Sequence, residues 1–427
     1  MNKFFVYSPK ESPRLEYVLN WLFKEHYPAV FKIVSSLNEL PKDSVVLNYS
    51  NLKIPSSINS LQVEPSGLLF QTGLDETMNK FNAFEKLKTN SGTTFDVLSA
   101  IFFMLSRYEE YVVDARDSFG RFTFRHATTF GDFSWLSPVC DIWASDLVTK
   151  MNQNLGLNLT HQKSYLFLPT FDIDIAFAYR FKGFTRTAGS LVKKLFKADY
   201  GDLFKHLKFL LTNSDDPFDT YDLIADAVKN RNYLFFVHMG NYGNHDISLD
   251  WNNEKYKETF ISKLKGNYDL GIHPSLLSNT ITEKLNDEWL KFETSFGQKP
   301  KKSRQHYLVL KLPHTYRSLI KLGIEEDYSL GFAETIGFRA GTCSPFYWYD
   351  LLEEKQTPLK LFPQTFMERS LTKYMKLNDD DATKATKQHI DLIKKHKGTF
   401  TPIWHNSTIN ENSSHKMVFN LMFEHGI

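Results

Sequence analysis

The sequence predicts an α/β protein in two parts: a smaller α/β region over residues 1–162 and a larger strand–helix alternation over 163–427. Three observations carry this. The chain has 427 residues, enough for two or three domains at roughly 150 residues each. Hydrophobic residues make up 42% and charged residues 23%, which fits a folded globular chain and excludes a disordered one. From about Leu166 onward, short apolar runs alternate with amphipathic stretches, the pattern of parallel strands joined by helical crossovers.

In the first part, Phe4-Phe5-Val6 and Ser44-Val45-Val46-Leu47 read as strands. Helical periodicity runs from Leu15 to Phe23 and from Phe95 to Tyr111. The stretch FFMLSRYEEY, Phe102 to Tyr111, and the following DSFGRF, Asp117 to Phe122, are rich in charge. Their simplest reading is a helix end with solvated charges; the other is a contact surface. Histidines are few here, and no chemical site stands out.

In the second part, YLFLPTFD (Tyr165 to Asp172), YLFFVHM (Tyr233 to Met239), DLGIH (Asp269 to His273) and FTPIWHN (Phe400 to Asn406) read as strands. Between them TYDLIADAVKNRN reads as a helix with Leu223, Ala227 and Val228 on one face. KYKETFISKLKGN is another. TEKLNDEWLKFETSFG is a third, with Leu285, Trp289, Phe292 and Phe296 at helical spacing and Gly297 as its stop. DDATKATKQHIDLIKKHKG opens with acids and ends in lysines before Gly398, as helix ends prefer. Either an open doubly wound sheet or a closed barrel satisfies this alternation.

The bulk composition narrows function. Net charge is +2, so no overall field favours nucleic acid or an anionic membrane. Cys140 and Cys343 are the two cysteines, too few for a disulfide framework or a cysteine-based zinc site. No run approaches the length of a membrane span, and the N-terminal apolar run is too short for a signal peptide. The chain therefore reads as a cytoplasmic protein. The 37 Phe read mainly as core, while some of the 20 Tyr and 7 Trp suit a sugar-binding groove.

Chemistry concentrates at strand ends. Asp172 and Asp174 close the run FLPTFDID, and residues two apart on a strand share a face. Two adjacent carboxylates repel unless a cation or a shared proton relieves them. A metal or a general base resolves this; so does a loop start in solvent. Other tips carry His238, His273 with Ser275, Arg304 with His306, and His405 with Asn406. In a β/α barrel such tips converge on one site.

FDID, GIHPS, SRQHY and WHN, in that order, resemble the motifs of the polysaccharide deacetylase family, the NodB-like carbohydrate esterases. The run SRQHYLVLKLPHTYRSLIKLGIEEDYSLGFAETIGFRAGT resembles a bacterial subgroup of that family whose members carry an N-terminal domain of unknown function. FFMLSRYEEY and GRF resemble that domain, so the likeness spans nearly the whole chain. It implies a distorted β/α barrel of about seven strands over 163–427. It implies Asp172 as catalytic base, Arg304 as the group orienting it, and His405 as general acid. Asp174 and His273 match metal ligands, the ion being a divalent metal such as Zn²⁺. The family often has a second histidine four residues after the first; Leu277 stands there, and His306 or His238 is left as the third ligand. Ser275, Asn406 and Arg339 fall in motifs that imply substrate contact. Asp327 reads either as an acid supporting the site or as a surface acid after a helix.

The function so implied is metal-dependent removal of acetyl groups from an acetylated glycan or glycan precursor. A non-catalytic glycan- or partner-binding protein on the same scaffold is the alternative, favoured by Leu277. A metal hydrolase acting on a non-sugar amide is the third.

Overall fold

The computed structural model describes residues 3–427 apart from 80–81, 89–94, 130–132, 183–186, 188–195, 197–199, 213–214, 244 and 410–411. Strands β1 (Lys3–Tyr7), β2 (Val30–Val34), β3 (Val45–Asn48) and β4 (Asn59–Gln62) form a parallel sheet ordered β2-β1-β3-β4. The helix Pro13–Asn20 crosses from β1 to β2. Ser12 caps it by accepting from the Leu15 N–H, and proline opens it, where a missing N–H costs nothing. The periodic stretch Phe95–Tyr111 divides into Val97–Leu105 and Glu109–Val112, because Arg107 between them adopts φ 55°.

The second part holds β5 (Leu166–Phe167), β6 (Thr170–Ile173), β7 (Tyr233–His238), β8 (Tyr268–His273), β9 (Lys302–Ser303), β10 (Glu326–Asp327), β11 (Phe346–Asp350), β12 (Lys355–Leu361), β13 (Thr399–Phe400) and β14 (Ile403–His405). Eight of them make one sheet, ordered β11-β12-β10-β9-β8-β7-β6-β14, parallel throughout except for antiparallel β11 and β12. Two expected strands are each split in two. Pro169 separates β5 from β6 and Pro402 separates β13 from β14, since proline has no N–H for the ladder. The halves still match: β13 pairs with β5, and β14 with β6.

The expected barrel of about seven strands is thus a sheet of eight. Among the described residues, the segment after β12 reaches across to β14: Met367 bridges Ile403, whose N–H donates to the Phe366 carbonyl at 2.9 Å. The four expected helices are present as Tyr221–Val228, Glu254–Lys263, Thr282–Phe296 and Asp379–Lys395. One face was misread: Leu223 is exposed, and Tyr221, Ile224 and Val228 are the buried positions. Among the described residues, no helix is long and apolar enough to cross a membrane.

Alternation along the central strands sorts core from site. Phe171, Ile173, Phe235, Val237, Leu270 and Ile272 join the main hydrophobic core, while Leu234 and Phe236 pack on Tyr328 in a separate cluster. Asp172 shares the second face. It sits in register with His405 on one side and Phe236 on the other.

The main core is continuous through both parts of the chain, from Phe4, Leu15 and Phe102 to Trp348, Tyr349 and Leu361. The charges of SRYEEY are not solvated, contrary to the simplest reading of that stretch. Arg107, Glu109 and Glu110 are buried. Arg107 donates to Glu109 at 2.6 Å and to Glu110 at 2.8 Å, and Arg339 from the second part grips Glu110 at 2.8 and 2.5 Å. Burial pushes the Glu110 carboxyl up, but Arg339 and Arg107 outweigh it and hold it at about 2. Removing one member of a buried ion pair strands the other charges. Glu110→Ala is therefore expected to destabilise the protein by about 3–5 kcal/mol in urea denaturation; a loss under about 1 kcal/mol would show that water or another acid replaces the carboxylate.

Candidate active site

Asp172 ends up against a cation. Arg304, at the end of β9, donates from Nη1 to Asp172 Oδ1 at 2.7 Å and from Nε to the Tyr328 carbonyl at 3.1 Å. Its guanidinium lies over the Phe236 ring, 4.3 Å from the centroid. Phe236 can lie there because Gly271 on the neighbouring strand has no side chain; a Cβ would sit 2.5 Å from that ring. Fully buried and held on three sides, Arg304 fixes Asp172 in direction.

Asp174 is treated differently. Its Oδ1 is buried and makes no hydrogen bond. Around it stand His273 Nε2 at 3.4 Å and His306 Nε2 at 3.7 Å, while His405 Nε2 lies 3.8 Å from Oδ2. Burial pushes the Asp174 carboxyl up, but His405, His306 and His273 outweigh it and hold it well below the usual carboxylate range.

Each histidine is oriented from behind. His273 Nδ1 lies 2.5 Å from the Arg304 carbonyl, which can only accept, so Nδ1 carries the proton and Nε2 faces Asp174. His306 Nδ1 donates to Asp246 Oδ1 at 3.1 Å. Asp246 is itself held by the backbone N–H groups of Leu276 and Leu277, at 2.8 and 3.1 Å. His405 Nδ1 donates to Glu368 Oε1 at 2.6 Å, and Thr408 donates to the same oxygen at 2.8 Å. Burial disfavours a charged His405, yet Glu368 and then Asp174 outweigh it and raise the ring to about 9.

One carboxylate oxygen of Asp174 and the free ring nitrogens of His273 and His306 lie within 4.8 Å of one another. An orphaned buried oxygen, two imidazoles presenting Nε2, and a carbonyl and a carboxylate behind them fit a divalent cation. His238, the other expected candidate, shares a second possible group with Asp246 and His306. Its Nδ1 is spent on the His273 carbonyl at 3.0 Å, and it does not line the cavity.

Asp172, Asp174, His273, His306 and His405 line one cavity of about 260 Å³, together with Gln305, Tyr307, Leu308, Ala333, Met367, Ile403, Arg121 and three residues absent from the sequence reading: Arg369, Lys373 and Tyr374. Tyr307 and Leu308 both adopt left-handed backbone, φ 60° and 57°, which turns the chain sharply behind His306. Phe119 of the first part stacks on Tyr307 at 4.9 Å and 13°.

Three expected substrate contacts point elsewhere. Ser275 gives its N–H and hydroxyl to Glu288, at 2.9 and 2.5 Å. Asn406 donates its amide to the carbonyls of Ile175 and Phe218, at 3.1 and 3.0 Å. Arg339 is consumed by Glu110. None of the three lines the cavity. Asp327 is buried, not a surface acid. It accepts from Ser303 at 2.7 Å and from Ser329, and burial pushes it up to about 6.

Asp246 and Glu368 escaped the sequence reading because neither sits at a strand tip. Asp246 lies in NHDIS beyond β7, and Glu368 in FMERS beyond β12. An acid inside an otherwise apolar run was the one available signal for Glu368. Arg121 lay in the quoted GRF.

Among family models, that of a family of unknown function, DUF7033, matches residues 4–156, a span that includes Arg121. No curated protein matches. The solved structures found to be similar include a putative polysaccharide deacetylase from Mycobacterium smegmatis, 14% identical, covering 61% of this chain and 84% of that one at a TM-score of 0.38. The PuuE allantoinase is 9% identical, with 61% and 83% covered and a TM-score of 0.36. The peptidoglycan deacetylase PdaC from Bacillus subtilis is 14% identical, with 62% and 85% covered and a TM-score of 0.26. TM-scores this low leave the functional reading to the residues of the cavity.

Glu288, which anchors the loop after His273, supplies a pH test. Burial raises its carboxyl to about 7 from an ordinary 4.5. A raised carboxyl binds more protons folded than unfolded, so stability present below pH 4.5 is lost as pH climbs through 7. Wild type is expected to lose on the order of 3 kcal/mol from this group across that window. Glu288→Gln should show a flatter profile in denaturation at pH 4.5, 6 and 8; parallel profiles would remove Glu288 as the cause.

Proposed function

We propose that the protein is a metal-dependent hydrolase that removes acetyl groups from a carbohydrate. The observation that carries this is the division of labour between two carboxylates at one strand end. Asp172 is locked to Arg304, and Asp174 is left open toward the Nε2 atoms of His273 and His306.

Asp174, His273 and His306 would hold the cation. When bound, a divalent ion such as Zn²⁺ polarises an acetyl carbonyl and lowers the pKa of water toward neutrality. The remaining steps fall to the chain. Asp172, aimed by Arg304, takes the proton from the attacking water. His405 presents Nε2 to the same cavity with Nδ1 fixed on Glu368, so it delivers a proton to the departing amine or alcohol. Tyr307 and Tyr374 line the same cavity and offer aromatic surface to a sugar, Tyr307 with one ring face already against Phe119. The missing family histidine at Leu277 is supplied from another element. His306 takes the ligand position, and the Leu277 backbone N–H supports the carboxylate that orients it.

The test is acetate release from acetylated chitooligosaccharides and from acetylated xylan, which separates amide from ester. Asp172→Asn is expected to lower the rate about 10²–10⁴-fold with fold and metal content intact. Asp246→Asn, which releases His306, is expected to weaken metal affinity about 10–100-fold. A folded, metal-loaded wild type that releases no acetate from either polymer would favour the non-catalytic binding protein.

A further inference from the structure

The cavity holds more positive charge than acetyl hydrolysis calls for. Its acids already face partners, Asp172 the Arg304 guanidinium and Asp174 the Nε2 atoms of His273, His306 and His405. Its cations are Arg121, Arg369 and Lys373. Arg121 is matched by Asp117, Nε to Oδ2 at 2.6 Å. Arg369 is matched at longer range, by a carboxylate it shares. Its carboxylate contact is Glu368 Oε1 at 3.9 Å, an oxygen that already accepts from His405 and Thr408. The Arg369 Nη2 donates to the Ser407 hydroxyl at 3.2 Å, a neutral partner. Lys373 forms no ion pair among the described residues; its ammonium lies 5.7 Å from the centre of the Tyr374 ring.

One cation with a long, shared ion pair and one with no ion pair among the described residues therefore line a cavity whose other residues suit a divalent ion. Like charges in such a space repel, more strongly as water is excluded. Neither Arg369 nor Lys373 is needed for the proton transfers above, and a neutral glycan would leave the repulsion standing when it displaced the solvent. An oxyanion on the ligand would relieve it, and guanidinium and ammonium are the groups that bind phosphate and carboxylate best.

Resting on the hydrolase reading, we propose that the substrate is an acetylated sugar bearing a phosphate or carboxylate on the same or the adjoining unit. Arg369 and Lys373 hold that anion, and the Tyr307 and Tyr374 rings flank the sugar.

The experiment is calorimetric binding of four probes: N-acetylglucosamine, its 6-phosphate, its 1-phosphate, and N-acetylglucosaminuronic acid. It is run on wild type as purified, on wild type after chelation, and on Lys373→Gln and Arg369→Gln. At least one anionic probe is expected to bind about tenfold or more tightly than the neutral sugar, with or without metal. Each substitution should remove about tenfold of that preference and leave neutral binding unchanged. The preferred probe tells phosphate from carboxylate. Lys373 is exposed, so its variant is expected to fold even where Arg369→Gln does not. Equal affinity for all probes overturns the proposal, as does no binding of any. So does a preference that survives both substitutions or vanishes on chelation, which would place the anion on the metal. Acetate release without an anionic preference overturns this inference and spares the hydrolase; anionic binding without acetate release does the reverse.

Discussion

Asp172 and Asp174 put two carboxylates at the end of one strand, and neither charge is stable there alone. Bare carboxylates in a poorly hydrated pocket repel each other and pay the loss of water. The chain relieves the two in different ways. Asp172 receives the guanidinium of Arg304, which meets it at 2.7 Å. Asp174 receives imidazoles, which can exchange a proton for a metal ion. On the proposed reading, that asymmetry turns a repulsive pair into a base beside a metal ligand.

Much of the surrounding architecture serves this pair. The registers of β14 and β7 against β6 set His405 and Phe236 beside Asp172. The absent side chain at Gly271 admits the Phe236 ring on which Arg304 lies. The left-handed turn at Tyr307 and Leu308 carries His306 toward Asp174, and Phe119 packs on that turn from the first part of the chain. The buried Arg107–Glu110–Arg339 network and a continuous core tie the two parts together, so Arg121 reaches the cavity from a fixed base. The first part is thus a component of the pocket wall.

The strand–helix alternation was legible because burial on both strand faces and amphipathic helices leave strong periodic signals. Residues at strand tips were legible for the same reason: Asp172, Asp174, His273 and His405 needed only a period of two and a common sheet end. What the sequence hid depends on direction and on long-range pairing. Ser275 and Asn406 lie within two residues of cavity histidines, yet their polar atoms turn to Glu288 and to backbone carbonyls. Arg339 finds its partner 229 positions away, which no local pattern reveals. Asp246 and Glu368 arrive from loops, where no periodicity says which residue points inward. The burial of SRYEEY was hidden too, since a charged run looks the same whether its partner is water or a distant arginine.

The central claim is that Asp174, His273 and His306 form a metal centre in place of the histidine absent at Leu277. Elemental mass spectrometry of the purified protein beside His306→Ala and Leu277→Ala tests it most directly. The account predicts near-stoichiometric divalent metal in wild type and in Leu277→Ala, and its loss in a folded His306→Ala. Metal retained in His306→Ala, or wild type that takes up none after incubation with zinc, would contradict it.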